Sequence, residues 1–188
     1  MCPADCRYDH SLTTVLGMPR TLSLRVCRAD YADPVHAAAL VNLLDAYARD
    51  VMGGAEPLTD FVRANLVAAL AARPQAFSVL AFDEIDKERG EIPVGLVNCL
   101  EGFSTFACRP LVNVHDLVVL PDYRGQRVAQ KMLALVEEIA YQRGACKLTL
   151  EVLPGNAGAI KLYTRIGFAG YQLDPAMGQA TFLQKWFK

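Results

Sequence analysis

From residue 21 onward the chain moves between two hydrophobic periods. Residues 21–28 alternate apolar and polar side chains and predict a strand. Asp33 and Pro34 then open a helix, Asp33 as N-cap and Pro34 in the first turn, which runs to about Asp50 and stops before Gly53-Gly54. A second helix follows Thr59, with Phe61, Val62, Leu66, Ala69 and Leu70 at helical spacing before Pro74. Residues 75–82 predict a second strand, the charged stretch 83–91 a hairpin loop, and 94–103 a third strand. A turn near Arg109-Pro110 leads to a fourth strand over 111–120. The helical pattern from Gln126 to about Arg143 puts Val128, Met132, Leu135, Val136 and Ile139 on one face. Arg127, Lys131, Ala134 and Glu138 lie on the other, and Gly144 ends the helix. A fifth strand over 147–153 precedes a helix over 157–166 whose inner side holds Ile160, Tyr163, Ile166 and Gly167. Strands over 168–173 and 180–187 close the chain. The order β-α-α-β-β-β-α-β-α-β-β predicts a mixed sheet of the α/β class.

Length and charge narrow the picture. The 188 residues suit one domain with a sizeable core. Residues 21–188 read as that domain, and residues 1–20 as a loose extension, or as a segment preceding a natural start at Met18. A net charge of −1 argues against a nucleic-acid partner held by bulk electrostatics. No run approaches the roughly 18 apolar residues of a membrane span, and polar residues through Thr14 leave no visible signal peptide. The six cysteines form no CxxC pair, so a cytoplasmic protein with free thiols is expected, with Cys27, Cys99 and Cys146 as small buried hydrophobes. Three histidines without clustered cysteines predict no metal site, and His36 and His10 read as surface residues.

The chemistry concentrates at Leu120-Pro-Asp-Tyr-Arg-Gly-Gln-Arg-Val-Ala129. A strand leading through an Arg/Gly turn into a helix makes an anion site, because the N–H groups of the first helical turn are free and the helix dipole favours negative charge there. Gly125 permits close backbone approach, and Arg124 and Arg127 add positive charge.

Arg124-Gly125-Gln126-Arg127-Val128-Ala129 resembles the motif Arg/Gln-x-x-Gly-x-Gly/Ala of the GNAT acetyltransferases, with Arg127 in place of the central Gly. Asn156-Ala-Gly-Ala-Ile-Lys-Leu-Tyr-Thr-Arg-Ile-Gly-Phe168 resembles a second motif of the same family, with Asn156, Ala159, Tyr163, Gly167 and Phe168 in register. One helix and one strand separate the two motifs, which is the family order.

The resemblance implies the acyl-CoA N-acyltransferase fold and transfer of acetyl from acetyl-CoA to an amine by direct attack, with no metal. It implies that the backbone of residues 124–129 takes the pyrophosphate and that Asn156 belongs to the cofactor site. Leu117, Val118 and Val119 would flank the pantetheine arm. Tyr163 would protonate the departing thiolate, although a packing role on the inner helix face is the competing reading. Val114-His115-Asp116-Leu117 is similar to a segment of polyamine-type members in which a Glu, here His115, accepts the amine proton. Asp116 points to the opposite face unless a bulge intervenes. The acceptor pocket would be built from Tyr47, Asp50, Met52, Glu56, Glu101 and Phe103, with the acidic groups suited to a cationic small-molecule amine. The resemblance also admits a homodimer. Two other readings stand beside this one. One is a protein or peptide acetyltransferase, and the other is an acyl-CoA-binding regulatory domain without catalysis.

Overall fold

The alternation around Leu24 becomes the edge of a five-stranded sheet in the computed structural model, which describes residues 22–86, 90–171, 174, 176, 178 and 180–187. The strands are β1 (Leu24–Arg28), β2 (Ala76–Asp86), β3 (Gly90–Ser104), β4 (Arg109–Val119) and β5 (Leu148–Leu150), lying in that order across the sheet. β1 through β4 are antiparallel, and β5 joins β4 in parallel after the crossover helix α3 (Val128–Gln142). Two helices, α1 (Pro34–Arg49) and α2 (Asp60–Ala71), connect β1 to β2, and α4 (Ala157–Arg165) follows β5. Asp33 caps α1 by accepting from the Val35 N–H at 2.7 Å, and Thr59 caps α2 through the Val62 N–H at 3.3 Å.

Each sheet face buries one set of alternate residues. Leu80, Phe82, Leu96 and Val118 pack under Leu40 and Leu43 of α1. Val79, Val97, Val112 and Val114 pack under Met132 and Val136 of α3, in a cluster that also contains Tyr163 of α4. Each fully buried side chain of this size stabilises the fold by about 1.5–3 kcal/mol. Gly95 lets α3 approach closely, since a Cβ there would lie 2.8 Å from Met132 Cε and 3.3 Å from the Val118 carbonyl.

Four local expectations differ from the structure. The charged stretch 83–91 is not all loop, because β2 continues to Asp86 and β3 begins at Gly90. Charged residues suit the exposed end of an antiparallel ladder, and Glu91 there pairs with Arg25 of β1. The tip of that hairpin lies outside the described residues. Residues 168–171 and 180–187 form no strand. Their apolar pattern is local, whereas a strand needs a paired edge, and β5 is only three residues long. His36 is packed rather than superficial: Nδ1 accepts from the Asp30 N–H at 3.1 Å, and the ring lies 5.6 Å from that of Phe82. Ile160 turns outward, and Ala159, Leu162 and Ile166 accompany Tyr163 against the core. His10 falls outside the described residues.

Candidate active site

A cavity of about 510 Å3 opens between α1, α2 and the adjoining face of β3 and β4. Leu44, Leu58, Leu66, Leu70 and Leu100 supply apolar walls, and Tyr47, Arg73, Asn98, His115 and Asp116 supply polar groups. Its rim is the segment joining α1 to α2. Buried Asp45 holds that segment by accepting from the Leu58 N–H at 2.9 Å and Arg49 Nε at 2.8 Å, and by an ion pair with Arg63 Nη1 at 3.0 Å. Burial alone would raise the Asp45 carboxyl, but these donors outweigh it and hold the group below the usual carboxylate range. Gly53 folds back over the end of α1 so tightly that a Cβ would lie 1.9 Å from the Tyr47 carbonyl oxygen.

The opposite wall depends on one extra residue. Asn98 pairs with Asp116 and the next residue, Cys99, pairs with Val114, so His115 is a β-bulge in β4. Before it, Val112 and Val114 face α3; after it, Leu117 and Val119 face α3, and Val118 faces α1. The bulge therefore turns both His115 and Asp116 toward the cavity. Tyr47 reaches the same place from α1. Burial first, then the negative charges of Asp116 and Asp50, push its phenol up.

Beyond the bulge the sheet opens. β4 pairs with β5 only from Val112 to Val114, so among the described residues 115–119 have β3 on one side and no strand on the other. Next comes a short 3-10 turn, Pro121–Tyr123, and then Arg124 and Gly125. Arg124 donates from Nε to the Val119 carbonyl at 3.1 Å and from Nη2 to Asp50 at 2.9 Å, tying this turn to the cavity rim. Asp50 also accepts from the Met52 N–H at 2.9 Å, and that bond and then Arg124 hold its carboxyl below the ordinary range. Gly125 and Arg127 both have positive φ, at 77° and 62°. No side chain caps α3, so its leading N–H groups remain available to an anion in front of the helix. A Cβ at Gly125 would meet nothing within 4 Å, so the turn is open on that side. This arrangement fits the pyrophosphate of a CoA molecule.

On the far side of the opening, Asn156 caps α4 by accepting from the Ala159 N–H at 3.1 Å. Tyr163 is 9% exposed and meets Phe168 edge-on at 5.8 Å. Burial, and to a lesser degree the nearby Tyr47, push its phenol up, so it stays protonated at neutral pH.

Three residues placed in the acceptor pocket on sequence grounds lie elsewhere. Glu101 pairs with Arg143 at the end of α3, at 3.0 Å. Phe103 is exposed near the far end of β3, and Glu56 is an exposed loop residue whose N–H donates to the Ala48 carbonyl. Alternation sends Glu101 to the α3 face, where an Arg meets it. Sequence reasoning also missed Asn98, whose signal was an isolated amide in the apolar run 94–100.

Comparison with known proteins gives the family and the fold. The acetyltransferase (GNAT) family profile matches residues 37–168, from α1 through the end of the second motif. The chain belongs to this family. Streptothricin acetyltransferase of Streptomyces lavendulae is 36% identical over 93 residues, which is 48% of this chain and 49% of that protein. Thialysine N-epsilon-acetyltransferase of Mus musculus is 33% identical over 81 residues, 43% of this chain and 47% of that protein. The chain thus spans about half the length of the curated relatives it matches. The solved structure of a probable acetyltransferase superimposes with a TM-score of 0.70 at 20% identity, covering 87% of this chain and 99% of that one, which shows the GNAT fold. Within that fold, Arg127 occupies the left-handed position where the motif has Gly, a conformation glycine adopts at no steric cost.

Proposed function

We propose that this GNAT chain is an acetyl-CoA-dependent N-acetyltransferase whose acceptor is a cationic primary amine of a small molecule, with residues 21–188 as one catalytic domain. The observation that carries the reading is the cavity lined by Tyr47, His115 and Asp116 beside the gap between β4 and β5. The acceptor enters the cavity with its apolar part among Leu58, Leu66 and Leu70 and its ammonium toward Asp116. Asp116 or His115 takes the proton that makes the nitrogen nucleophilic. The nitrogen forms a bond to the thioester carbonyl carbon and releases its second proton to solvent, the carbon–sulfur bond breaks, and Tyr163 gives its phenolic proton to the departing sulfur. Solvent returns that proton to Tyr163. The open N-terminus of α3, with residues 124–129, holds the pyrophosphate, and the edge at 117–119 receives the pantetheine arm. The activities of the streptothricin and thialysine relatives support a small acceptor. No helix among the described residues is long and apolar enough to cross a membrane, and the free thiols Cys27, Cys99, Cys108 and Cys146 agree with a cytoplasmic setting.

Thiol release from acetyl-CoA against a panel of primary amines tests the proposal. Turnover should be highest with amines that carry an apolar stem and a positive charge. Tyr163→Phe should lower kcat about 100-fold, the low end of one general-acid contribution, while changing KM little. Absence of turnover with every amine, together with retained CoA binding, would favour the non-catalytic binding domain instead.

A further inference from the structure

Three strands contribute one polar side chain each to a single row across the α1/α2 face of the sheet. Ser78 of β2 lies opposite Asn98 of β3, and Asn98 lies opposite Asp116 of β4. The neighbouring positions on this face are Leu80, Phe82, Leu96 and Val118. Ser78 is 1% exposed and Asn98 is 6% exposed. Polar groups at such positions cost stability unless their hydrogen bonds are complete.

Here the bonds form one directed chain. Asp116 Oδ2, a carboxylate oxygen that can only accept, receives Asn98 Nδ2–H at 3.0 Å. That fixes the amide with Oδ1 toward Ser78, whose hydroxyl donates to it at 2.6 Å. Ser78 Oγ has then spent its proton, so the Tyr31 hydroxyl donates to Ser78 at 2.9 Å. Tyr31, just beyond β1, starts the chain, and its phenol is pushed up by burial, so it remains a donor. Each link permits one orientation of the next.

We propose that Tyr31, Ser78 and Asn98 are positioning residues that lock the Asp116 carboxylate in the cavity wall, so that one oxygen is held by the sheet and the other receives the acceptor's ammonium group. Only Asn98 and Asp116 line the cavity; Ser78 and Tyr31 act through them. The chain makes selection of a cationic acceptor depend on residues buried away from it. The inference rests on the proposed role of Asp116 toward the amine.

The test uses the full chain and the variants Asn98→Ala, Ser78→Ala and Tyr31→Phe. Hydrogen bonds to charged groups are worth about 1.5–3 kcal/mol, so Asn98→Ala should raise the KM for the amine about 10-fold or more. Ser78→Ala and Tyr31→Phe should raise it about threefold to tenfold, by loosening the amide. The KM for acetyl-CoA should stay within about twofold in all three, which separates positioning from general damage to the fold. An unchanged amine KM in folded Ser78→Ala and Tyr31→Phe, or equal rises for both substrates, overturns the proposal. A second measurement needs no activity: a double-mutant cycle on denaturant unfolding between Ser78→Ala and Asp116→Asn. Among the described residues, hydrogen bonds join these two side chains through Asn98 alone, so a coupled shift of the midpoint supports the chain and strict additivity overturns it. If no amine is turned over but coupling is present, the acceptor reading falls and the locked carboxylate stands.

Discussion

Arg127 holds a left-handed backbone conformation that costs a non-glycine residue about 1–2 kcal/mol. The strain sits where the turn from β4 enters α3, in front of uncapped N–H groups. Arg127→Gly should therefore stabilise the protein by roughly 0.5–1 kcal/mol, since part of the relief is offset by the flexibility of Gly in the unfolded chain. The same substitution removes an exposed guanidinium beside the expected phosphates, so acetyl-CoA affinity should fall severalfold. Denaturant midpoints and calorimetric titration read the two effects separately. A gain in both would mean that the side chain does not meet the phosphates. The position of Arg127 in a glycine slot was legible in the sequence; its backbone angle was not, because an Arg by itself favours φ below zero.

At the scale of the element, β4 decides where the chemistry sits. Its apolar residues shift frame, from positions 112 and 114 to 117 and 119, and the odd interval is the trace of the bulge. Alternation read as unbroken would place Asp116 with Val114 under α3. His115→Ala keeps the extra residue and should leave part of the activity. Deleting His115 regularises the ladder, keeps Asp116 opposite Asn98, and lets β4 run on without the bend that accompanies a bulge. Turnover in the deletion variant should fall at least about 10-fold below His115→Ala, with unfolding midpoints that remain close. Equal activity in the two variants would show that only the imidazole, and not the bend, matters. The strands expected over 168–173 and 180–187 show the limit of element-level reading. Alternation proposes a strand, but only a partner edge makes one, and the described residues there have none.

At the scale of the molecule, titrating groups shifted by folding set a pH window. Asp45, Asp50 and Glu91 have carboxyls below their ordinary values in the folded state. Their contribution is complete above about pH 4, the unfolded value, and is lost as pH falls through the lower folded values. Cys99 is buried and pushed up to about 12, and Tyr31, Tyr47 and Tyr163 are also raised by burial. Those contributions are complete below the unfolded values, near 8.5 for a thiol and 10 for a phenol. They are lost as pH rises through the folded ones. Stability should thus be flat between about pH 5 and 8 and fall on both sides. Cys99→Ala should lower the plateau by about 1–2 kcal/mol, through lost packing, and should flatten the first part of the alkaline limb. Urea unfolding at a series of pH values measures both, and an alkaline limb of unaltered slope in the variant would remove Cys99 from the account.

The sequence by itself determined the helices, the first five strands and the two motifs, because these are written in periods of 3.6 and 2, in caps such as Asp33 and Thr59, and in contiguous residues such as 124–129. It also determined the candidates Tyr163, His115 and Asp116. Only the tertiary structure decided which of the expected acceptor residues share a cavity. Tyr47 does, whereas Glu101 leaves for Arg143, because the sheet face a residue takes depends on register and bulges rather than on its type. It also decided that Arg124 spends its guanidinium on the Val119 carbonyl nearby and on Asp50, 74 positions away in sequence. The row from Tyr31 through Ser78 and Asn98 to Asp116 is the clearest case. Its members are scattered over four segments of the chain; cross-strand pairing makes Ser78, Asn98 and Asp116 neighbours, and the turn after β1 brings the Tyr31 hydroxyl to Ser78.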